Sequence, residues 1–210
     1  MSDVAKLSNA AGSEVSRETA ECLKDFEWQF RHWNKSINLV APSTLPDFWE
    51  RHVLDSVQLW RYRADARSWM DIGSGGGFPG IVIAILGRDG DLHVTLVESN
   101  HKKASFLRSC GARYGLKIDV RAVRIETVAG LAPSIVSARA LADLKTLLAM
   151  TETWIDPGKG RALLHKGRDY VSEIEEARVH WNFDLVEHQS VVDPMSRILE
   201  ISNVERSEHQ

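Results

Sequence analysis

Cysteine is scarce in this chain of 210 residues: Cys22 and Cys110 stand alone, with no CxxC pair. That scarcity excludes a disulfide framework and suits a reducing, cytoplasmic setting. No apolar run approaches the roughly 18 residues that cross a bilayer. The polar stretch 1–19 lacks the apolar segment of an export signal. Eight histidines are scattered without HxxxH or Cys/His spacing, so no metal site is expected. There is no Gly-Lys-Ser/Thr phosphate loop and no Gly-x-Ser-x-Gly elbow, since Gly73-Ser74-Gly75 does not qualify. Excess charge is also missing, with 26 Lys and Arg against 29 Asp and Glu for a net charge of -3. Contact with RNA would therefore need a local basic patch. Repeats, low-complexity segments and linker signals are absent too.

What the chain does have is glycine in one place. Asp71-Ile72-Gly73-Ser74-Gly75-Gly76-Gly77-Phe78-Pro79-Gly80 follows a short apolar strand signal and precedes the apolar run Ile81-Val82-Ile83-Ala84-Ile85-Leu86. Strand, bare turn and helix start together form a ligand cradle of the doubly wound α/β type. Gly75-x-Gly77-x-x-Gly80 fits a dinucleotide fingerprint. Asp71-x-Gly73-x-Gly75-x-Gly77 fits the first motif of S-adenosylmethionine (SAM)-dependent methyltransferases. A carboxylate at the strand end repels a pyrophosphate and attracts the cationic donor, so Asp71 favours SAM over NAD. A glycine turn without a ligand is the third reading.

Around the cradle, residues 1 to about 16 read as a frayed tail. Leu23, Phe26, Phe30 and Trp33 recur at helical spacing, and 33–39 reads as the helix end and a turn. Thr44-x-x-Asp47, with Pro46, reads as a capping box opening a second helix. His52 and Asp55 are three apart in that helix, either as a local hydrogen bond or as one wall of a site. The early aromatic stripe reads as a helical cap on the sheet, with a base-stacking platform as the alternative. Beyond residue 67 strands and helices alternate, with strands at 68–72, 92–97, 118–123, 135–137 and 162–165 and a closing hairpin at 183–192 and 197–203. The expected fold is α/β, Rossmann-like, with a seven-stranded, mostly parallel sheet and an antiparallel C-terminal strand. Residues 1–66 form a helical extension and 67–210 the core, within one compact domain.

Glu98 ends the second strand where a ribose would lie, or else caps the next helix. Ile125-Glu126 follows strand three, where an apolar side chain could pack an adenine. Arg124, Arg139 and Lys166 end strands three, four and five at the ligand-binding edge, where they suit a polyanionic substrate or simple surface pairing.

Several stretches together resemble one family: Trp33-Asn34-x-x-x-Asn38-Leu39, Arg51-His52-x-Leu54-Asp55-Ser56, the glycine turn, Leu96-x-Glu98-Ser99, Lys102-Lys103 with Phe106-Leu107, Arg124-x-Glu126, Ser137-x-Arg139-Ala140 and Lys166-Gly167. These are similar to the RsmG (GidB) family of bacterial 16S rRNA guanine-N7 methyltransferases. The resemblance implies a class I methyltransferase fold with N-terminal helices, SAM as methyl donor and 16S rRNA or the small ribosomal subunit as partner. It also implies a cytoplasmic protein, here expected to be monomeric, with no membrane and no metal. Carried over by position, Gly73, Phe78, Ile125, Glu126 and Arg139 fall on the family's SAM site, with Asp71, Gly75, Gly77 and Glu98 beside them. Arg197-Ile198 departs from the usual Arg-His. Because guanine N7 carries a lone pair and no proton, no general base is required. Arg139, Lys166, Arg197 and His52 are then the candidates for holding phosphate or guanine O6. A NAD oxidoreductase, a SAM-binding regulator and a small-molecule methyltransferase are the alternatives.

Overall fold

Strand β1 (Ser68–Ile72) is the middle one of the five parallel strands in one seven-stranded sheet. It pairs in parallel with β2 (His93–Val97) on one side and β4 (Ile135–Arg139) on the other. Outside these run β3 (Ile118–Arg121) and β5 (Arg161–Lys166), also parallel. The hairpin β6 (Trp181–Gln189) and β7 (Arg197–Arg206) closes the sheet, with β7 antiparallel to both β5 and β6. The order is β3-β2-β1-β4-β5-β7-β6, and the seven-stranded, mostly parallel sheet with its antiparallel ending is as expected. The computed structural model describes residues 2–207. Residues 1 and 208–210, included in the sequence-based domain boundaries, lie outside the described residues.

Two cores cover the faces of the sheet. Helices α6 (Leu144–Ile155) and α7 (Tyr170–Arg178) bury Leu147, Leu148, Trp154 and Ala177 against Met70, Ile72, Leu164 and Leu199. On the other face α4 (Gly80–Leu86) and α5 (His101–Tyr114) pack with everything that precedes the sheet. Helix α2 (Arg17–Ile37) contributes Phe26 and Phe30 to that core, both fully buried with Phe78 and Phe106 in contact. Its start is capped by Ser16, whose Oγ accepts from the Thr19 amide at 3.1 Å. Asn34 then accepts from the Leu39 and Val40 amides at 2.7 and 3.1 Å, which fixes the turn after the helix.

Two local expectations are corrected. The supposed frayed tail holds a helix, α1 (Asp3–Ala11), with Ser2 at its N-cap and Gly12 in the left-handed region at its end. Nine residues are too few to hold a helix alone. Leu7, Ala10 and Ala11 are buried, and Arg61 donates to the Asn9 and Ala10 carbonyls at its free end. The capping box at Thr44 does not form. Thr44 ends a 3-10 turn (Pro42–Thr44) and its hydroxyl donates to the Ala41 carbonyl at 2.8 Å. Helical structure begins later, as a π-helical segment (Trp49–Leu54), one α turn, α3 (Asp55–Val57), and a 3-10 segment (Gln58–Tyr62).

Candidate active site at the carboxyl edge of the parallel strands

All five parallel strands end at one edge, where open α/β sheets bind ligands. There the chain turns from β1 into α4 through Gly73, Gly75 and Gly77, at φ of 64°, 52° and 90°. These left-handed values favour glycine. Around Gly75 an added Cβ would meet only the Gly73 carbonyl, at 3.7 Å, so bare main chain faces open space. At Gly76 the same atom would stand 2.6 Å from the Phe30 ring, so α2 backs the turn directly.

The Asp71 side chain, at the end of β1, is fully buried beneath the turn. One oxygen accepts from Ser137 Oγ at 2.7 Å and the other from the Gly80 amide at 3.1 Å. Trp69 Nε1 in turn donates to Ser137 at 2.8 Å. Burial pushes the Asp71 carboxyl up to about 6 despite these donors. Asp71 therefore shapes the cradle from below, and Gly80 must be glycine because a Cβ would come within 2.3 Å of Leu96.

Glu98 sits at the end of β2, with one oxygen accepting from the Gly75 amide at 2.8 Å and the other from Asn100 at 2.7 Å. Helix capping falls to Asn100, whose Oδ1 accepts from Lys102 and Lys103. Ile125 is half-buried and Glu126 exposed in a 3-10 turn (Ile125–Thr127) just after β3. A carboxylate anchored beside open main chain and an apolar side chain at the next strand end fit a nucleoside-bearing cofactor such as SAM. The Phe78 side chain does not join them. It is 4 % exposed and turns into the aromatic core, 5.1 Å from the His52 ring.

Beyond β4 lies a second cluster that sequence spacing did not resolve. Arg139 donates through Nη1 to the Arg51 carbonyl at 2.9 Å and to Asp55 at 3.2 Å, and through Nη2 to His52 Nδ1 at 2.9 Å. The His52 and Asp55 side chains are thus bridged by Arg139 and have no direct hydrogen bond to each other. With Nδ1 accepting, the proton sits on Nε2, which donates to Thr44 Oγ1 at 3.1 Å. Burial, with the neighbouring Arg139 charge, lowers His52 to about 4, so the ring is neutral at pH 7. These residues line a cleft of about 440 Å³ that also reaches Val192, Asp193 and Ser196 in the β6–β7 turn. A smaller cavity of about 220 Å³ adjoins it, lined by His165, Lys166 and Arg197 among others.

Lys166 and Arg197, read from sequence as phosphate holders, are engaged internally. Lys166 is 6 % exposed and its ammonium donates to Glu173 at 2.6 Å and the Ala142 carbonyl at 2.7 Å. Arg197 donates to the Pro194 and Ser196 carbonyls and stacks over Tyr170. Thr44 and Ser137 carry the hydrogen bonding that sequence reading left out. Ser137 stands opposite Asp71 in the β1–β4 register, a neighbour that only strand pairing reveals. Among the described residues no group of three or more His, Cys, Asp or Glu side chains could hold a metal ion. No helix among them is long and apolar enough to cross a membrane.

The model of the family described as rRNA small subunit methyltransferase G (GidB) matches residues 19–201. The chain belongs to the GidB family. Two of its relatives, each named ribosomal RNA small subunit methyltransferase G, come from Brucella anthropi and Chelativorans sp. The first is 51% identical over 195 residues, 91% of each chain. The second is 51% identical over 200 residues, 94% of this chain and 95% of its own. Solved structures share the methyltransferase fold. A ribosomal protein L11 methylase from Lactobacillus delbrueckii subsp. bulgaricus aligns with a TM-score of 0.54 at 17% identity, over 68% of this chain and 72% of its own. A variant of MtNAS in complex with S-adenosylmethionine aligns at 0.56 and 14%, over 85% and 72%. The GidB match begins after α1, so that helix lies outside the matched stretch.

Proposed function

We propose that this GidB-family enzyme transfers a methyl group from SAM to N7 of a guanosine in 16S rRNA, acting as a cytoplasmic monomer on the RNA or the small subunit that carries it. The observation that carries this reading is the glycine turn held between buried Asp71 and Glu98, beside the cleft of His52, Asp55 and Arg139. When bound, SAM supplies an electrophilic methyl group. The glycine main chain, Glu98 and Ile125 would hold it across the ends of β1, β2 and β3. Guanine N7 offers a lone pair with no proton to lose, so the protein has to align and to exclude water.

The cleft agrees with that demand. His52 is neutral with both ring nitrogens engaged, and Asp55 is tied to Arg139 and Gln58, so neither side chain is poised as a free base. Arg139 instead fixes the helical segment over 49–55 against the end of β4 and sets the cleft wall, a positioning role. The test is incubation of the protein with labelled SAM and 16S rRNA lacking the modification, followed by mapping at N7-methylguanosine. Label at a single guanosine N7 supports the reading. Label on another atom, or none with SAM bound, overturns it.

A further inference from the structure

Most Lys and Arg side chains of this chain are paired with a carboxylate or spent on main-chain carbonyls. Most of the exceptions gather in one place. Among the described residues, Lys35, Arg51, Lys102, Lys103, Arg124 and Arg168 make no ion pair, and their side chains make no hydrogen bond. Arg17, Arg67 and Arg178 share that state but lie elsewhere, at the start of α2, just ahead of β1 and at the end of α7, where Arg178 lies over the Phe183 ring.

Topology places all six along the carboxyl edge. Lys102 and Lys103 open α5, which leaves the end of β2. Arg124 follows β3 and Arg168 follows β5. Arg51 lines the larger cleft beside Arg139. Lys35 belongs to the last turn of α2, whose Trp33 packs 5.6 Å from Phe106 of α5. Two acids at the same edge turn inward: Glu98 to the Gly75 and Asn100 amides and Asp55 to Arg139. Asp143 and Asp193 are exposed but bonded within their own turns, to Thr146 and to Met195 and Ser196, and Glu126 and Asp169 interrupt the row as exposed carboxylates. From β3 to β5 there are four strand spacings of ~4.8 Å, so the row crosses about 19 Å and passes on both sides of the glycine turn.

We infer that this row is the docking track for an RNA strand, whose phosphates meet Lys35, Lys102, Lys103 and Arg124 on one side of the turn and Arg51 and Arg168 on the other. The inference rests on the rRNA methyltransferase reading and names the surface that serves it. A net charge of -3 gives the whole chain no attraction for polyanions, so affinity has to come from unpaired cations in one strip. Leaving them unpaired keeps their charge for phosphate and releases the counterions condensed on the RNA.

The test is filter binding of the full chain to 16S rRNA between 50 and 200 mM salt, with SAM titration and thermal melting alongside. Lys102→Ala with Lys103→Ala and Arg124→Ala should lower the slope of log affinity against log salt by about 2 to 2.7, at ~0.7 to 0.9 per phosphate contact. Arg51→Ala with Arg168→Ala should lower it by about 1.4 to 1.8 on the same scale. The control, Arg17→Ala with Arg67→Ala, should leave it unchanged. If a combined variant fails to melt cooperatively, Lys102→Ala and Arg168→Ala alone should each lower the slope by about 0.7 to 0.9. Wild-type slopes in the edge variants, or an equal loss in the control, overturn the docking track while methylation by the wild type leaves the functional reading standing. Loss of affinity for the assembled subunit alone, with naked rRNA bound as before, would assign the row to a protein partner and also overturn it.

Discussion

Replacing Arg139 with alanine removes the hub between β4 and the helices that precede the sheet. Three hydrogen bonds are lost, to the Arg51 carbonyl, Asp55 and His52, together with the approach of the guanidinium to the Phe78 ring at 5.2 Å. His52 keeps a buried acceptor nitrogen with no donor, and Asp55 loses its cation. Removing one partner of a buried charge pair costs about 3 to 5 kcal/mol. Arg139 and Asp55 are 16% and 20% exposed, so the lower figure applies. For a chain of this length about 3 kcal/mol corresponds to a fall in Tm of roughly 6 to 12 °C. The supports of the glycine turn do not run through Arg139, since Asp71 holds Gly80 and Glu98 holds Gly75. SAM affinity should therefore fall less than about threefold by calorimetry, while methyl transfer to rRNA falls at least about tenfold. Arg139→Lys keeps the charge without the fork and should recover only part of both losses. A Tm within 1 °C of wild type would refute the hub, at ~2 to 4 °C per kcal/mol. Lost SAM binding at unchanged Tm would instead place Arg139 directly on the cofactor.

Stability against pH carries a second signature. His52, lowered to about 4, binds fewer protons folded than unfolded, so its contribution is full above ~6.5 and is lost as pH falls toward 4. Asp71, raised to about 6, acts in the opposite sense and loses stability as pH rises from ~4 to 6. Denaturant titrations of Asp71→Asn should thus climb more steeply than wild type between pH 4 and 6, and parallel curves would count against the buried carboxylate. Gly80→Ala forces a Cβ to 2.3 Å from Leu96 and 2.7 Å from Asp71, and should cost about 1 to 3 kcal/mol with loss of SAM affinity. Gly90→Ala, whose nearest neighbour would be a carbonyl at 3.6 Å, should change neither stability nor binding. Leu7→Ala should cost about 2 to 5 kcal/mol if α1 is part of the core, and less than about 1 if it only rests on it.

The parallel sheet was legible in sequence because each strand is a short apolar run ended by a turn signal, and because the glycine turn marks where β1 hands over to α4. Position at the carboxyl edge followed from that order alone, which is why Glu98, Ile125, Arg139 and Lys166 lie at or just after strand ends as expected. Direction was harder to read. Asp71 points into the sheet because Ser137 lies opposite it in the register, a relation 66 residues away in the chain. Lys166 belongs to Glu173 for a similar reason, the return of α7 over the end of β5. Helix α1 escaped notice because its apolar content is mostly small alanines and its carbonyls are satisfied from Arg61. Thr44 had a capping spacing, yet its hydroxyl serves Ala41 and His52 instead.

The ring of Phe30 lying on Gly76 ties the glycine turn to a helix made long before the sheet. During synthesis α2 leaves the ribosome with its aromatic stripe uncovered and finds its seat only once the turn has followed. A recombinant fragment starting at β1 would retain every strand yet lack one wall of the cradle. Helix α2 is thus part of the cradle itself, and trimming it would remove that wall.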